Sequence, residues 1–183
     1  WDAPGKTWRH EKDKTYKAQR PPLPDDLKPQ IWMVKELVEK LHIPAYQITW
    51  YEADDIIYSY ANLSLKEWIQ VTVCSSDKDL KQLLCDWAVF KDPMKWVVTD
   101  KQSFIQDYGF EPSYIVDYLA LLWDASDNIP WVMWIGKKWA TDLIKKYNTV
   151  ESIYDHIDEI TWSTKQKLID WKENAFHSKE LVQ

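Results

Sequence analysis

Carboxylates fall at four separated places in the chain: Asp2, then Glu52, Asp54 and Asp55, then Asp77 and Asp79, then Asp124 and Asp127. Taken singly, an Asp-x-Asp or an Asp-Asp is ordinarily a helix cap or a solvated face. Together they form another kind of pattern, because each stands at a predicted strand end or helix start. If they converge, repulsion is severe: two carboxylates ~4 Å apart repel by about 4 kcal/mol at an effective dielectric of 20. A cluster of that kind requires cations, and ligands that are all oxygen select hard ions, Mg²⁺ or Mn²⁺, over softer transition metals.

The other reactive residue types carry less. Cys74 and Cys85 are too few for a disulfide framework and lack zinc-site neighbours, so both are expected as small buried side chains. His10, His42, His156 and His177 have no partner at useful spacing and receive no role. Tyr46, Tyr51, Tyr58 and Tyr60 are expected to pack rather than to stack on bases. The formal net charge of −6 argues against a nucleic-acid partner on its face. Locally the sign reverses, because Lys6, Arg9, Lys12, Lys14, Lys17 and Arg20 outnumber Asp2, Glu11 and Asp13 within the first twenty residues.

The chain of 183 residues, 45% hydrophobic and 28% charged, fits one folded domain, or a domain with a small appendage. No apolar run approaches the ~18 to 20 residues of a membrane span, and the first residues are too polar for a signal peptide. A cytoplasmic protein with no membrane contact is expected. A basic, irregular opening ends at Arg20-Pro21-Pro22-Leu23-Pro24, where prolines set an extended connector. From Asp25-Asp26, apolar residues at Leu27, Ile31, Val34, Leu37, Val38 and Leu41 predict a helix with one buried face. Residues 45–49 read as a short strand, and Glu52 to Asp55 as a helix start. Val71-Thr72-Val73-Cys74 reads as a buried strand with a helix over 78–84 behind it. Weaker strand signals lie at 88–90 and 96–98, and beyond residue 100 the periodicity is helical. Strands alternating with helices predict an α/β domain with a parallel sheet and a helical C-terminal part. In such a sheet the carboxyl ends of the strands share one edge, where scattered acids can meet.

Five motifs in order carry a resemblance: Asp2-Ala3-Pro4-Gly5-Lys6-Thr7-Trp8-Arg9-His10-Glu11, Tyr16-Lys17-Ala18-Gln19-Arg20, Tyr51-Glu52-Ala53-Asp54-Asp55, Ser76-Asp77-Lys78-Asp79-Leu80 and Asp124-Ala125-Ser126-Asp127-Asn128-Ile129-Pro130. Over nearly its whole length the chain resembles the 5′→3′ exonuclease domain of bacterial DNA polymerase I, a family that includes phage 5′ nucleases and is related to flap endonucleases. The resemblance implies a PIN-like nuclease region over residues 1–122 and a helical region with a helix–hairpin–helix DNA-binding segment over 123–183. It implies hydrolysis of DNA or RNA-primer phosphodiesters at flaps, nicks and primer junctions, with two Mg²⁺ or Mn²⁺ ions. Asp2, Glu52, Asp54, Asp77, Asp79 and Asp127 would be metal ligands, with Asp55 and Asp124 in the same cluster. Arg9, Tyr16 and Lys17 would be catalytic. Arg9, Lys17, Arg20, Gly136, Lys137 and Lys138 would meet DNA. No protein partner is implied beyond a polymerase domain in the same parent chain. The competing class is a non-catalytic DNA-binding fragment or scaffold. A purely acidic metal-binding protein is disfavoured by Arg9, Lys17 and Arg20.

Two departures from the family pattern stand out. The family hairpin reads Gly-Val-x-Gly-Ile-Gly, and here Trp131 and Trp134 replace its first two glycines. The same exchange occurs at Trp50 and Trp123, and Trp68, Trp96, Trp162 and Trp171 occupy loop-like contexts that suit glycine. The chain has thirteen tryptophans and three glycines, whereas ordinary usage of ≈ 7% would give about thirteen glycines. Translation of UGA glycine codons as tryptophan is the expected source. The chain also opens where the family is leaving a central strand and ends within an element, so a fragment, poorly active alone in Mg²⁺, is expected.

Overall fold

The computed structural model describes residues 1–122, 126–129, 132–133 and 135–183. The opening segment contains a short helix α1 (Trp8–Lys12) where an irregular stretch is predicted. After the proline connector come α2 (Leu27–Lys40) and α3 (Ala53–Lys66). Strand β1 (Val71–Cys74) leads through a 3-10 helix, Asp79–Leu83, into β2 (Ala88–Asp92) and β3 (Val97–Thr99). The remainder is helical: α4 (Lys101–Tyr108), α5 (Ile115–Ala120), α6 (Lys137–Tyr147), α7 (Val150–Asp155), α8 (Trp162–Asp170) and α9 (Lys172–Val182).

The sheet has the order β1-β2-β3. β1 and β2 are parallel, with Val71 opposite Ala88 and Val73 opposite Phe90, as predicted for an α/β crossover. β3 is antiparallel to β2, pairing Thr99 with Phe90, so the sheet is mixed rather than parallel throughout. The connection explains this. Asp92 Oδ1 accepts the N–H groups of Met94 and Lys95, folding residues 93–96 into a tight loop, and a connection that short can only return the chain antiparallel.

The core runs from Ala61, Val73, Leu80 and Phe90 beside the sheet into α4, α5, α6, α7, α8 and α9, where Phe104, Ile115, Leu121, Ile144, Ile153 and Leu168 are fully buried. Local signals set these helices. Asp100 accepts the Ser103 N–H to start α4, and Thr149 accepts the Ser152 N–H to start α7. α4 stops at Gly109, whose φ of +77° favours glycine.

Several predictions need correction. Residues 45–49 form no strand. α2 forms where predicted, but none of its residues is buried, and Val34, Leu37 and Leu41 are exposed. β1 is an edge strand burying only Val73, so alternation turns Cys74 outward, and Cys85 is only half-buried. The predicted helix at 78–84 is the shorter 3-10 turn. Tyr46, Tyr51, Tyr58 and Tyr60 are exposed rather than packed away. Among the described residues no helix is long and apolar enough to cross a membrane.

Candidate active site

Five parts of the chain surround a cavity of about 500 Å³: α1 with the turn after it, α3 with the turn leading into it, the turn after β1, Asp127, and the end of α9. Glu52, Asp54, Asp55, Asp77, Asp79 and Asp127 all line it, so the scattered acids do meet. Asp2 joins them by accepting the Ala53 N–H at 2.7 Å, at the first turn of α3. An exposed helix N-terminus with free N–H groups favours carboxylates there. Asp77 Oδ1 accepts the Asp79 N–H, and Ser75 Oγ accepts the Asp77 N–H, a local turn that projects both acids beyond β1. Asp124 lies outside the described residues.

The opening segment supplies the opposite wall. Tyr16 is buried, with its hydroxyl 3.0 Å from Glu52 Oε2 and 3.1 Å from Asp127 Oδ2. Its single proton serves one carboxylate at a time. Burial, followed by the charges of Glu52 and Asp127, pushes the phenol far above its usual range, so Tyr16 remains a proton donor. Lys17 places Nζ 3.0 and 2.9 Å from the two Glu52 oxygens and 3.8 Å from Asp127. Its backbone sits at φ +55°, an uncommon conformation for lysine, and its N–H donates to the Asp127 carbonyl. Arg20 binds the Asp127 carboxylate and the Ser126 carbonyl.

Arg9 differs from expectation. Only 5% exposed, it forms two 2.9 Å bonds to Asp55 and donates Nε to the Leu181 carbonyl at 2.7 Å and Nη2 to the Gln183 carbonyl. In this arrangement its donors are turned to the protein. Asp55 is likewise occupied, since besides Arg9 it accepts the Glu52 N–H. The Glu52–Asp55 interval of three is a capping-box spacing, and that signal was open to sequence reading. No local pattern announces a bond from Arg9 to Leu181. Histidines also find partners that spacing missed: His10 Nδ1 accepts the Thr7 N–H, and His177 Nε2 lies 2.9 Å from Asp13 Oδ2.

The negative charge is not evenly relieved. Burial first, then the carboxylates of Asp77 and Asp2, push Asp54 up to about 6, while Lys17 opposes them. Glu52, Asp127 and Asp55 are neutralised by Lys17, Arg20 and Arg9. Asp2, Asp54 and Asp77 therefore form a corner with charge in excess, a donor set made only of oxygen that suits a hard divalent cation. Among the described residues, no three acids, histidines or cysteines are already drawn together around one ion position. Gly136, Lys137 and Lys138 open α6 as an exposed helix N-terminus and do not line the cavity. Trp123, Trp131 and Trp134 lie outside the described residues.

Comparison with known proteins covers the whole chain in two parts. Residues 1–109 match the family model described as 5′-3′ exonuclease, N-terminal resolvase-like domain, and residues 110–183 the one described as 5′-3′ exonuclease, C-terminal SAM fold. The chain is 36% identical over 183 residues to the thermostable DNA polymerase I of Thermus thermophilus, covering 100% of this chain and 22% of that protein. It is 41% identical over 153 residues to the 5′-3′ exonuclease of Aquifex aeolicus, covering 84% of this chain and 53% of the relative. It thus spans about a fifth of the polymerase and about half of the exonuclease. A bacteriophage T5 protein co-crystallised with metal ions superposes with a TM-score of 0.83 at 24% identity, covering 99% of this chain and 73% of that one. The T5 flap endonuclease in a pseudo-enzyme-product complex with DNA and metal ions gives 0.81 at 24%, covering 99% and 71%. At that identity the likeness establishes the fold.

Proposed function

The chain belongs to the 5′-3′ exonuclease family, and from that membership we propose that it is the nuclease portion of a metal-dependent, structure-specific 5′→3′ exonuclease or flap endonuclease. Its substrates are DNA or RNA-primer phosphodiesters at flaps, nicks and primer junctions. Residues 1–122 are assigned to catalysis and 123–183 to gripping duplex, in a bacterial cytoplasmic protein whose parent is either a DNA polymerase I or a stand-alone exonuclease. The observation that carries the reading is the meeting of Glu52, Asp54, Asp77, Asp79 and Asp127 in one cavity with Tyr16 and Lys17.

Each side chain has a task that its position supports. Asp2, Asp54, Asp77 and Asp79 would hold Mg²⁺ or Mn²⁺ at the corner of excess charge, with Glu52, Asp127 and Asp124 closing the set. Such ions, when bound, activate water and neutralise the phosphate and the departing oxygen. Lys17 and Arg20 are ammonium and guanidinium groups that can exchange a carboxylate for a phosphate oxygen without new desolvation. Tyr16 fixes Glu52 and Asp127 relative to each other through its buried proton. Arg9, held by Asp55 and the α9 carbonyls, keeps α1 in place behind the acids. Outside the cavity, the N-terminus of α6 at Gly136, flanked by Lys137 and Lys138, suits the backbone phosphates of a duplex.

Replacement of Asp77 or Asp79 by asparagine separates a nuclease from a non-catalytic DNA-binding scaffold. The Asp77→Asn and Asp79→Asn proteins are expected to keep junction affinity and lose Mg²⁺-dependent cleavage of a 5′-labelled flap. Undiminished cleavage by either variant, or metal-independent cleavage by the unaltered protein, would remove the proposal.

A further inference from the structure

Seven non-glycine residues among those described have positive φ, and three of them are tryptophans: Trp50 at +81°, Trp68 at +60° and Trp96 at +57°. Asn128 and Asn148 are of the type that tolerates this region, whereas a bulky side chain there is a steric outlier. Each tryptophan moreover occupies a place where a defined motif uses glycine. Trp50 is the third residue of the turn closed by Tyr51 N–H to the Ile48 carbonyl, the position that a type II turn gives to glycine because its φ is near +80°. Trp68 follows the end of α3, with its own N–H on the Leu65 carbonyl and the Ile69 N–H on the Ser64 carbonyl. That pair of bonds is the Schellman motif, whose left-handed residue is usually glycine. Trp96 closes the β2–β3 loop, immediately before Val97 pairs with Asp92, where hairpins of this kind place a left-handed glycine.

The indoles return little for the strain. Trp68 and Trp96 are 75% and 81% exposed. Trp68 has an edge-on contact with Trp87, itself exposed, and Trp96 has Lys91 Nζ 5.9 Å from its ring centre. Trp8 is the contrast. It lies in α1 with negative φ, is half-buried, and carries the Arg9 guanidinium 4.4 Å above its ring. Two kinds of tryptophan therefore exist in this chain, one shaped to its surroundings and one set on backbones shaped for no side chain. With thirteen tryptophans to three glycines in the whole sequence, the second kind accounts for missing glycines.

We propose that residues 50, 68 and 96 are glycine in the protein as its own cell makes it, their UGA codons being read by a glycine-charged tRNA, and that Trp8 is a true tryptophan encoded by UGG. One consequence bears on the cavity. The residue 50 carbonyl accepts the Trp8 N–H at 3.1 Å, so a relaxed turn at 50 docks the helix that carries Arg9.

Two measurements decide it. Sequencing the gene and, by mass spectrometry, the peptides of the protein purified from its own cells should give UGA codons and glycine at 50, 68 and 96, with UGG and tryptophan at 8. UGG codons or tryptophan at any of the three positions overturns the proposal. In the recombinant chain, Trp50→Gly, Trp68→Gly and Trp96→Gly should each raise Tm by roughly 2–4 °C through relief of backbone strain, Trp68→Gly least because it forfeits the Trp87 contact. Trp8→Gly should lower Tm. A fall in Tm for Trp50→Gly and Trp96→Gly would show these indoles to be fitted where they stand, and would sink the inference.

Discussion

Helix α5 buries all six of its residues, Ile115–Ala120, whereas the fourteen-residue α2 buries none. The same contrast runs through the two halves of the molecule. The helical half closes over a core in which Ile144, Ile153, Leu168 and Ala175 have no exposed surface. Even its buried acid is fully engaged: Asp117 accepts the Val150 N–H and pairs with Lys179, which also holds Glu151. The wall of the acidic cavity rests on the other end of the same core, where Tyr16, Ala61, Val73, Leu80 and Phe90 are buried but none of them is wholly enclosed. It is held by Tyr16, Lys17, Arg20 and Arg9 on Glu52, Asp127 and Asp55. The most completely enclosed packing therefore lies in the helical half, and around the cavity backbone bonds to Asp2, Asp55 and Asp77 and counter-charges on Glu52, Asp55 and Asp127 share the work of positioning the acids.

The contrast is sharpest when each half loses its characteristic interaction. Leu168→Ala is expected to cost about 4 kcal/mol in urea unfolding, toward the upper end of the Leu→Ala range because the site is wholly enclosed. A loss below about 1 kcal/mol would mean that the helical half is not so enclosed. Arg9→Met ranks next, at about 3 kcal/mol, because it leaves Asp55 and the Leu181 carbonyl without their donor in a buried setting. This variant should also loosen α9 from α1, visible as faster amide exchange at Leu181 and Val182. Unchanged exchange there would deny that Arg9 ties the wall to the helical half.

The sequence revealed the parts whose causes are local. Apolar spacing located the helices beyond residue 100, and the β-branched run at 71–73 located β1. The acids of the cavity could be gathered because each stands beside a strand end or a helix start. What escaped depends on partners far along the chain. Periodicity in α2 signals a helix with an apolar stripe but says nothing of what covers it, and the stripe stays open. β3 reads as a strand, yet its direction follows from how Asp92 folds the loop before it. The basic residues of the opening look like a phosphate site, and four of them prove to be paired with acids that lie between 35 and 168 positions away.

A smaller, pH-dependent effect tests how the wall is joined to α9 at its other end. Burial is the largest influence on Asp13 and pushes its carboxyl up, but the hydrogen bonds from Thr15 and His177 together outweigh it and hold the group below the usual carboxylate range. A carboxylate lowered in the folded state adds stability above its unfolded pKa, and that contribution fades as pH falls through the folded value. The stability gap between the unaltered protein and Asp13→Asn should therefore be present at neutral pH, under about 1 kcal/mol for so solvated a group, and vanish below about pH 4. A gap that widens on acidification would reverse the sign and refute the assignment.

The weakest expected effect comes from α2. Its cohesion is local: Lys40 pairs with Glu36 one turn away, and the Ile43 N–H closes the last turn on the Val38 carbonyl. Leu37 is 55% exposed, so truncating it creates no cavity and removes little area from contact. Alanine also has the higher helix propensity. Leu37→Ala should consequently lie within about 0.5 kcal/mol of the parent by thermal unfolding, roughly an order of magnitude below Leu168→Ala despite deleting the same atoms. A cost of 2 kcal/mol or more, the entry level for a buried leucine, would mean that the apolar stripe of α2 is covered in solution and that the two halves are held by the same force after all.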